Sequence, residues 1–166
     1  MKYVVTGGAG FIGSNLVDRL MDDGHDVAII DDLSTGNKEN INPKASFNQM
    51  DIGLPTATPY LTNIMRGADT VFHTAALARV QPSIEDPILY NRVNVDGTLN
   101  ILKAAVDAGV KRVVYSASSS ALGDTNKLPQ KETDPTDPIS PYAVQKLVGE
   151  IYCRMFAEVY DIETVS

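Results

Sequence analysis

The sequence predicts an α/β fold: a doubly wound parallel sheet with helices on both faces. Short apolar runs typical of buried strands alternate with helical patterns along the whole chain. A glycine-rich turn joins the first apolar run to the first helical pattern, which is typical of such sheets. With 166 residues, 43% of them hydrophobic, we expect a single domain over residues 1–166 with a core of its own.

Composition excludes several classes of function. The net charge of −7, without a cluster of Lys and Arg, argues against nonspecific nucleic-acid binding. A single cysteine, Cys153, excludes an internal disulfide framework and a cysteine-based zinc site, and we predict no metal site. No apolar run reaches membrane-spanning length and no signal peptide is visible, so we expect a cytoplasmic protein that binds no membrane.

The glycine-rich turn is the segment TGGAGFIG, residues 6–13, between an apolar strand and an amphipathic helix that begins at Phe11 and Ile12. Unpaired N–H groups and the positive end of the helix dipole make such a helix start an anion site. We expect Gly7 to form the tight turn, Gly10 to admit a pyrophosphate and Gly13 to let the helix pack closely on its strand. The segment therefore predicts a Rossmann dinucleotide site.

An acidic residue follows the second predicted strand, residues 27–30, at the distance that this kind of site requires. Asp31 stands at the carboxyl end of that strand, where its carboxylate can accept hydrogen bonds from both adenosine ribose hydroxyls. Its charge would repel a 2′-phosphate, so NAD is favoured over NADP. The alternative is that Asp31 and Asp32 only cap the strand in a polar loop.

The remaining elements follow from periodicity and from turn residues. Very small side chains at Thr74, Ala75 and Ala76 come directly after a strand, where they would let a flat cofactor lie against the backbone. Asn94 is a polar amide in an otherwise apolar helical pattern, and it could also be a helix-surface residue. The predicted strands are 46–50, 69–73, 111–115 and the start of a sixth at 162–166; the predicted helices are 60–66, 83–108 and 142–160, and residues 123–140 form a surface loop.

Tyr142 and Lys146 are four residues apart on one predicted helix, so their side chains project from the same face. A nearby ammonium and a positive nicotinamide ring would both stabilise a phenolate, which would make Tyr142 a better base at neutral pH. A serine of the hydroxyl cluster at residues 116–120, which follows the fifth predicted strand, could share the proton of a substrate hydroxyl. The same spacing also occurs by chance in many helices.

Taken together, these motifs resemble the extended short-chain dehydrogenase/reductases, and within them the NAD-dependent epimerase/dehydratase group. The motifs that carry the resemblance are TGGAGFIG (6–13), IIDDLSTG (29–36), DI (51–52), HTAA (73–76), NVDGT (94–98), YSASSSALGD (115–124) and SPYAVQK (140–146). They span nearly the whole chain in the order of the family.

The resemblance implies a catalytic set of serine, tyrosine and lysine. Tyr142 would be the base, and Lys146 would hold the nicotinamide ribose and tune Tyr142. Ser118, counted back from Gly123, would bind the reacting hydroxyl, with Ser119 as the alternative.

The same resemblance assigns further residues to the cofactor. Asn94 would tie the central helix near the active site, and Asp51 and Ile52 would flank the adenine. Ser116 belongs to the cofactor set, and so do Asp32, beside Asp31, and Phe11 and Ile12, which follow the glycine turn.

Finer features point to one branch of the family. The segment DDLSTG looks like that of UDP-galactose 4-epimerases, and Ser119 and Ser120 stand where dehydratases usually carry Asp or Glu. The implied function is a nucleotide-sugar 4-epimerase that works by transient hydride transfer at sugar C4, with a UDP-linked hexose as the expected substrate. The alternatives are a non-catalytic NAD-binding module or fragment, or another dehydrogenase, reductase or dehydratase of the family.

The chain also departs from the family pattern. Leu122 stands where the family usually has Tyr before the glycine, and the sequence stops at the start of a sixth strand. We therefore expect a Rossmann domain truncated before the C-terminal substrate domain, which is absent from this chain. Relatives pair two subunits through the helices 83–108 and 141–160, so the resemblance also implies a homodimer.

Overall fold

One parallel sheet organises the computed structural model, which describes residues 1–124 and 128–166. Its strands are β1 Lys2–Thr6, β2 Asp26–Asp31, β3 Ser46–Gln49, β4 Thr70–His73, β5 Arg112–Tyr115 and β6 Glu163–Val165. They lie in the order β3-β2-β1-β4-β5-β6, and every neighbouring pair is parallel. This is the order of a Rossmann sheet, with the winding reversed between β1 and β4.

The helices follow the strands in the sequence as the alternation predicts. They are α1 Phe11–Asp22, α2 Ala57–Met65, α3 Val80–Glu85, α4 Pro87–Asn91, α5 Gly97–Ala108 and α6 Pro141–Tyr160. Lys38–Asn40 and Ser119–Leu122 form 3₁₀ turns, and Arg92–Asp96 forms a π turn between α4 and α5.

Both faces of the sheet are packed against helices. On one face, α2, α5 and α6 cover the buried side chains Val4, Ala28, Ile30, Val71 and Val113. On the other face, α1 covers Val5, Val27 and Ile29 through Val17. The prediction of a doubly wound parallel sheet with helices on both faces is confirmed.

The reversal of winding determines where a site can form. The connection that follows β3 passes through α2 and returns to β4, on the far side of β1. Connections leave the sheet in opposite directions at this point, so a crevice opens outside the carboxyl ends of β1 and β4. The glycine turn after β1 and the Thr74–Ala76 segment after β4 therefore lie at the same edge.

The single helix predicted over residues 83–108 is wrong. Pro87 disfavours helical backbone at the residue before it, and Asp86 accordingly has φ −134° and ψ 73°. The chain breaks there and starts again as α4, because the Asp86 carboxylate accepts a hydrogen bond from the Leu89 N–H at 3.0 Å and caps the new helix. The π turn then interrupts the helical pattern a second time, before α5.

Two other boundaries bear on the predictions. The structure starts α2 three residues before the predicted residue 60, because Pro59 lies in its first turn, where a backbone N–H has no intrahelical acceptor. Residues 125–127 of the predicted loop 123–140 lie outside the described residues. In the part of the chain that is described, no helix is long and apolar enough to cross a membrane.

Candidate active site

The glycine turn is shaped by contacts that side chains would prevent. Gly7 has φ +70°, and a Cβ at Gly7 would lie 2.8 Å from the backbone of Ala75. Gly13 packs directly against the Gly7 carbonyl, so a Cβ at Gly13 would collide with it. The start of α1 therefore lies tight against the turn, with Phe11 84% exposed and Ile12 65% exposed at the rim.

The N-terminus of α1 is open, whereas that of α6 is closed. Among the described residues, no side chain caps α1, whose N-cap is Gly10. In α6, by contrast, the Ala143 N–H donates to Ser140 Oγ and the Tyr142 N–H donates to Ser83 Oγ, both at 3.1 Å. An uncapped helix start that follows a glycine turn attracts anions, and a fully capped one does not. The geometry therefore favours α1 as the phosphate site.

Asp31 has a second task that the sequence did not predict. It is buried, and its two carboxylate oxygens accept hydrogen bonds from the Ala9 N–H (2.9 Å) and the Leu33 N–H (2.8 Å). It thereby fastens the glycine turn to the loop after β2. A carboxylate has about four acceptor positions, so two remain for ribose hydroxyls. The neighbouring Asp32 accepts from the N–H and the hydroxyl of Ser34, in the manner of a loop cap.

An open cleft runs along this edge of the sheet. Its walls include Gly7, Asp31, Asp32, Asp51, Ile52, Ala75 and Ala76. Small side chains on one wall and carboxylates at one end suit a flat base and a ribose, and the open start of α1 suits a pyrophosphate. The residues present therefore fit a dinucleotide. The structure brings all of these predicted cofactor residues to one edge.

A buried hydrogen-bond series links the two loops of the cleft. His73, only 1% exposed, lies between Thr6 Oγ1 (2.8 Å from Nδ1) and Thr98 Oγ1 (2.9 Å from Nε2). Thr98 donates to the Asn94 carbonyl, and Ala75 N–H donates to Thr6 Oγ1. Since the carbonyl can only accept, we assign the proton of His73 to Nε2 and the acceptor to Nδ1. Burial lowers the pKa of His73 to about 3, so the ring is neutral.

Asn94 is buried, and the helix-surface alternative is wrong. Its amide accepts from the Leu77 N–H at 2.8 Å and donates to the Leu77 carbonyl at 3.0 Å and to Gln145 Oε1 at 3.1 Å. Gln145 is itself buried on α6. The two amides therefore tie the π turn to the helix that carries Tyr142 and Lys146. Sequence reasoning missed Gln145, whose only signal was a polar residue on the buried side of that helix.

Lys146 is buried, and its Nζ donates to the Ser116 carbonyl at 2.7 Å. The ammonium also lies 4.7 Å from the centre of the Tyr115 ring, where the face of the ring attracts a cation. Burial lowers the pKa of Lys146 to about 8, which leaves it charged at neutral pH. Tyr142 lies in the first turn of the same helix and is half-buried. Within residues 1–124 and 128–166 its hydroxyl has no hydrogen-bond partner.

The candidate serines lie where β5 ends. Ser118 caps the 3₁₀ turn, and its Oγ lies 2.7 Å from Ser120 Oγ. Ser118 and Ser119 both face a groove that Leu122 and Glu150 also line. After the neighbouring strand β4 lies Thr74, which the sequence predicted to contact the cofactor. Its hydroxyl donates a hydrogen bond to the Thr6 carbonyl at 2.6 Å.

A Rossmann sheet with an open glycine turn and a Tyr/Lys helix beside it defines a class of nucleotide-cofactor oxidoreductases and their relatives. Comparison with known families agrees with this class. The model of the NAD dependent epimerase/dehydratase family matches residues 3–166, and the chain belongs to that family.

Three similar proteins illustrate the relationship. The UDP-glucose 4-epimerase of Mycolicibacterium smegmatis is 41% identical, over 98% of this chain and 53% of that protein. The crystal structure of UDP-glucose 4-epimerase from Thermotoga maritima with UDP-glucose is 36% identical with a TM-score of 0.93, over 99% of this chain and 53% of that one. The Thermus thermophilus UDP-glucose 4-epimerase in complex with NAD is 35% identical with a TM-score of 0.90, over 99% and 53%. The chain thus spans about half the length of the relatives that it matches.

Proposed function

We propose that the protein acts as an NAD-dependent nucleotide-sugar 4-epimerase, with a UDP-linked hexose as its substrate. The observation that carries the proposal is the position of Lys146, which is buried four residues after Tyr142 and donates a hydrogen bond to the carbonyl of Ser116, directly after β5. A buried ammonium is costly, and its placement at this edge indicates a role in binding or chemistry. The similarity to UDP-glucose 4-epimerases supports the sugar class.

The roles follow from the chemistry of each side chain. NAD bound in the cleft would supply a hydride acceptor for sugar C4 and return the hydride to the other face. Tyr142, whose hydroxyl is free of protein partners in the described part of the chain, takes the proton of the sugar 4-hydroxyl. The Lys146 charge stabilises the phenolate form in which Tyr142 acts as the base, and its remaining donors reach toward a ribose. Ser118, or Ser119 in its place, donates a hydrogen bond to the reacting oxygen.

The cofactor choice rests on Asp31. Its buried carboxylate at the end of β2 accepts two loop N–H groups and keeps acceptor capacity for ribose hydroxyls. A 2′-phosphate at the same place would meet this charge and that of Asp32. We expect the 166-residue chain to bind NAD more tightly than NADP in a calorimetric titration. Equal affinity for the two would refute the role of Asp31.

The catalytic assignment is tested by Tyr142→Phe, which removes one hydroxyl and leaves the helix intact. We expect UDP-galactose turnover to fall by about 10²–10⁴-fold while NAD affinity stays unchanged. Tyr60→Phe, an exposed tyrosine on α2, is the matched control and should keep full turnover. Unchanged turnover in Tyr142→Phe would refute the mechanism. A wild-type chain that binds NAD but converts no UDP-hexose would favour the non-catalytic NAD-binding module.

We also infer a homodimer through residues 83–108 and 141–160, the ranges that contain α4, α5 and α6. On α6, apolar residues follow one another at spacings of three and four: Val144, Val148, Ile151, Met155 and Val159. Three of these side chains are exposed, and Ile88 on the neighbouring α4 is 82% exposed. A stripe of this kind on two packed helices is typical of an interface between subunits.

Sedimentation velocity tests the homodimer. The wild-type chain should sediment as a dimer, and Ile151→Glu should sediment as a monomer, because a charge would be buried at the centre of the stripe. Tyr60→Glu, on the exposed side of α2, should remain a dimer. A wild type that stays monomeric at high concentration would contradict the inference.

A further inference from the structure

Arg92, at the start of the π turn, forms an ion pair with a residue of the cleft. Its Nη1 donates to Asp51 Oδ2 at 2.6 Å, and the Gly53 N–H donates to Asp51 Oδ1 at 2.8 Å. The side chains are 35% exposed for Arg92 and 23% exposed for Asp51. Both oxygens of the carboxylate therefore have a fixed partner, so its plane is set before any ligand arrives.

The backbone around this pair is held as closely as the side chains. A Cβ at Gly53 would lie 2.7 Å from the Arg92 carbonyl oxygen, so the two segments touch through their main chains. Asn100, on α5, donates to the carbonyls of Ile52 (2.8 Å) and Leu54 (3.1 Å). The segment 51–54 is thus fastened along its length to the π turn and to α5.

The ion pair between Arg92 and Asp51 reduces the negative charge of the cleft. Asp31, Asp32 and Asp51 all line the cleft, which is to receive a ligand with two phosphates. Carboxylates that face one another and an anionic ligand raise the cost of binding. Arg92 offsets the charge of Asp51, the one carboxylate of the three with a guanidinium partner among the described residues.

We propose that Arg92 is a positioning residue that makes Asp51 select a purine with a 6-amino group at the far end of the dinucleotide. The inference rests on the proposed NAD site. Two of the roughly four acceptor positions of the Asp51 carboxylate are taken by Arg92 and Gly53, and two remain. These can accept an exocyclic amino N–H, but they repel the oxygen of a 6-oxo purine. A site built to pair a ligand N–H rejects an analogue that lacks it.

The test compares NAD with nicotinamide hypoxanthine dinucleotide, in which the 6-amino group is replaced by a 6-oxo group. We expect the wild-type chain to prefer NAD by about tenfold or more, since a hydrogen bond to a charged group contributes about 1.5–3 kcal/mol. Arg92→Gln should bring this ratio close to one, because the carboxylate loses its fixed plane. Arg92→Lys should retain part of the preference through its charge.

Two further variants separate positioning from other roles. In Asp51→Asn, adding Arg92→Gln should change the ratio no further, because Arg92 acts through Asp51. Arg19→Gln removes an exposed Arg–Asp pair at the far end of α1 and should leave the ratio at its wild-type value. Thermal unfolding of each variant checks that the fold is retained.

The outcomes distinguish this inference from the proposed function. If the wild type prefers NAD and Arg92→Gln keeps the same ratio, only the role of Arg92 is refuted. The role of Arg92 is also refuted if Arg92→Gln weakens the binding of both dinucleotides equally, both in the wild-type chain and in the Asp51→Asn variant. Arg92 would then contact the ligand directly. If the wild type binds neither dinucleotide, the cofactor site itself is refuted, and this inference with it.

Discussion

Acidification should destabilise this fold through His73, because the folded protein has no room for a second proton on the ring. Nδ1 accepts from the Thr6 hydroxyl, and Nε2 donates to the Thr98 hydroxyl, which already donates to the Asn94 carbonyl. A proton on Nδ1 would face the hydrogen of Thr6 in a fully buried position. Burial is the main cause of the low pKa, and the nearby Lys146 charge lowers it further.

The size of the effect follows from the two pKa values of His73, about 3 in the folded chain and 6.5 ordinarily. The folded pKa is the lower one, so below pH 6.5 the unfolded chain takes up a proton that the folded chain excludes. His73 therefore costs no stability above pH 6.5, and stability falls as the pH drops toward 3. Between pH 7 and pH 5 the loss is about 2 kcal/mol, since one pKa unit corresponds to about 1.4 kcal/mol.

Urea unfolding at pH 7, 6 and 5 measures this loss. His73→Gln, which cannot take up the proton, should show a free energy of unfolding that falls by about 2 kcal/mol less than that of the wild type over this range. The other histidine provides the matched control: His25, edge-on to Tyr3 in a surface turn, should keep the wild-type dependence when changed to Gln. The absolute stability of His73→Gln does not matter, because only its change with pH is compared.

Nitrogen NMR of the wild-type chain tests the same reasoning without a variant. The spectrum should show His73 as the Nε2–H tautomer, unchanged as the pH is lowered to 5. A ring that titrates near pH 6.5, or one that carries its proton on Nδ1, would refute the assigned direction of the hydrogen bonds. Equal pH dependence of wild type and His73→Gln would refute it as well.

Three other substitutions test the packing of the site, each by urea unfolding. Gly13→Ala places a methyl group against the backbone of the glycine turn and should cost about 1–3 kcal/mol, together with weaker NAD binding; wild-type stability would contradict the close contact. Ser83→Ala leaves the Tyr142 N–H without its acceptor and should also cost about 1–3 kcal/mol, whereas no loss would show that water replaces the hydroxyl. Gln145→Leu removes one acceptor of Asn94 and should cost a similar amount, which an unchanged midpoint would disprove.

Local patterns were enough to predict the sheet and the glycine turn. Strands β1, β2, β4 and β5 each contain a short apolar run, and Gly7 and Gly13 stand where a side chain would meet backbone atoms. The same local reasoning predicted that Asp31 stands at the cleft. It could not predict that the Ala9 N–H occupies one of its oxygens, because that contact joins two loops 22 residues apart.

The segment 83–108 shows where periodicity misleads. Apolar residues recur at helical spacing through α3, α4, the π turn and α5, and each of these segments contacts α6. The extra residue of a π turn shifts the helix face without removing the apolar pattern, so the interruption is invisible to a count of spacings. Asn94 shows a second limit: its polar side chain suggested a surface position, yet it is buried, with its amide paired to Leu77 and Gln145.

A buried series of hydrogen bonds connects two separate motifs of the sequence, HTAA and NVDGT. His73 and Asn94 stand 21 residues apart in the sequence, yet the buried series from Ala75 through Thr6, His73 and Thr98 ends on the Asn94 carbonyl. The direction of every bond in it is fixed by its two ends, a backbone N–H that can only donate and a carbonyl that can only accept. Replacing any one member leaves a buried partner unsatisfied, so the residues of both motifs constrain one another. The cleft wall at Ala75 and the helix of Tyr142, which Asn94 reaches through Gln145, are thereby held by one continuous polar network.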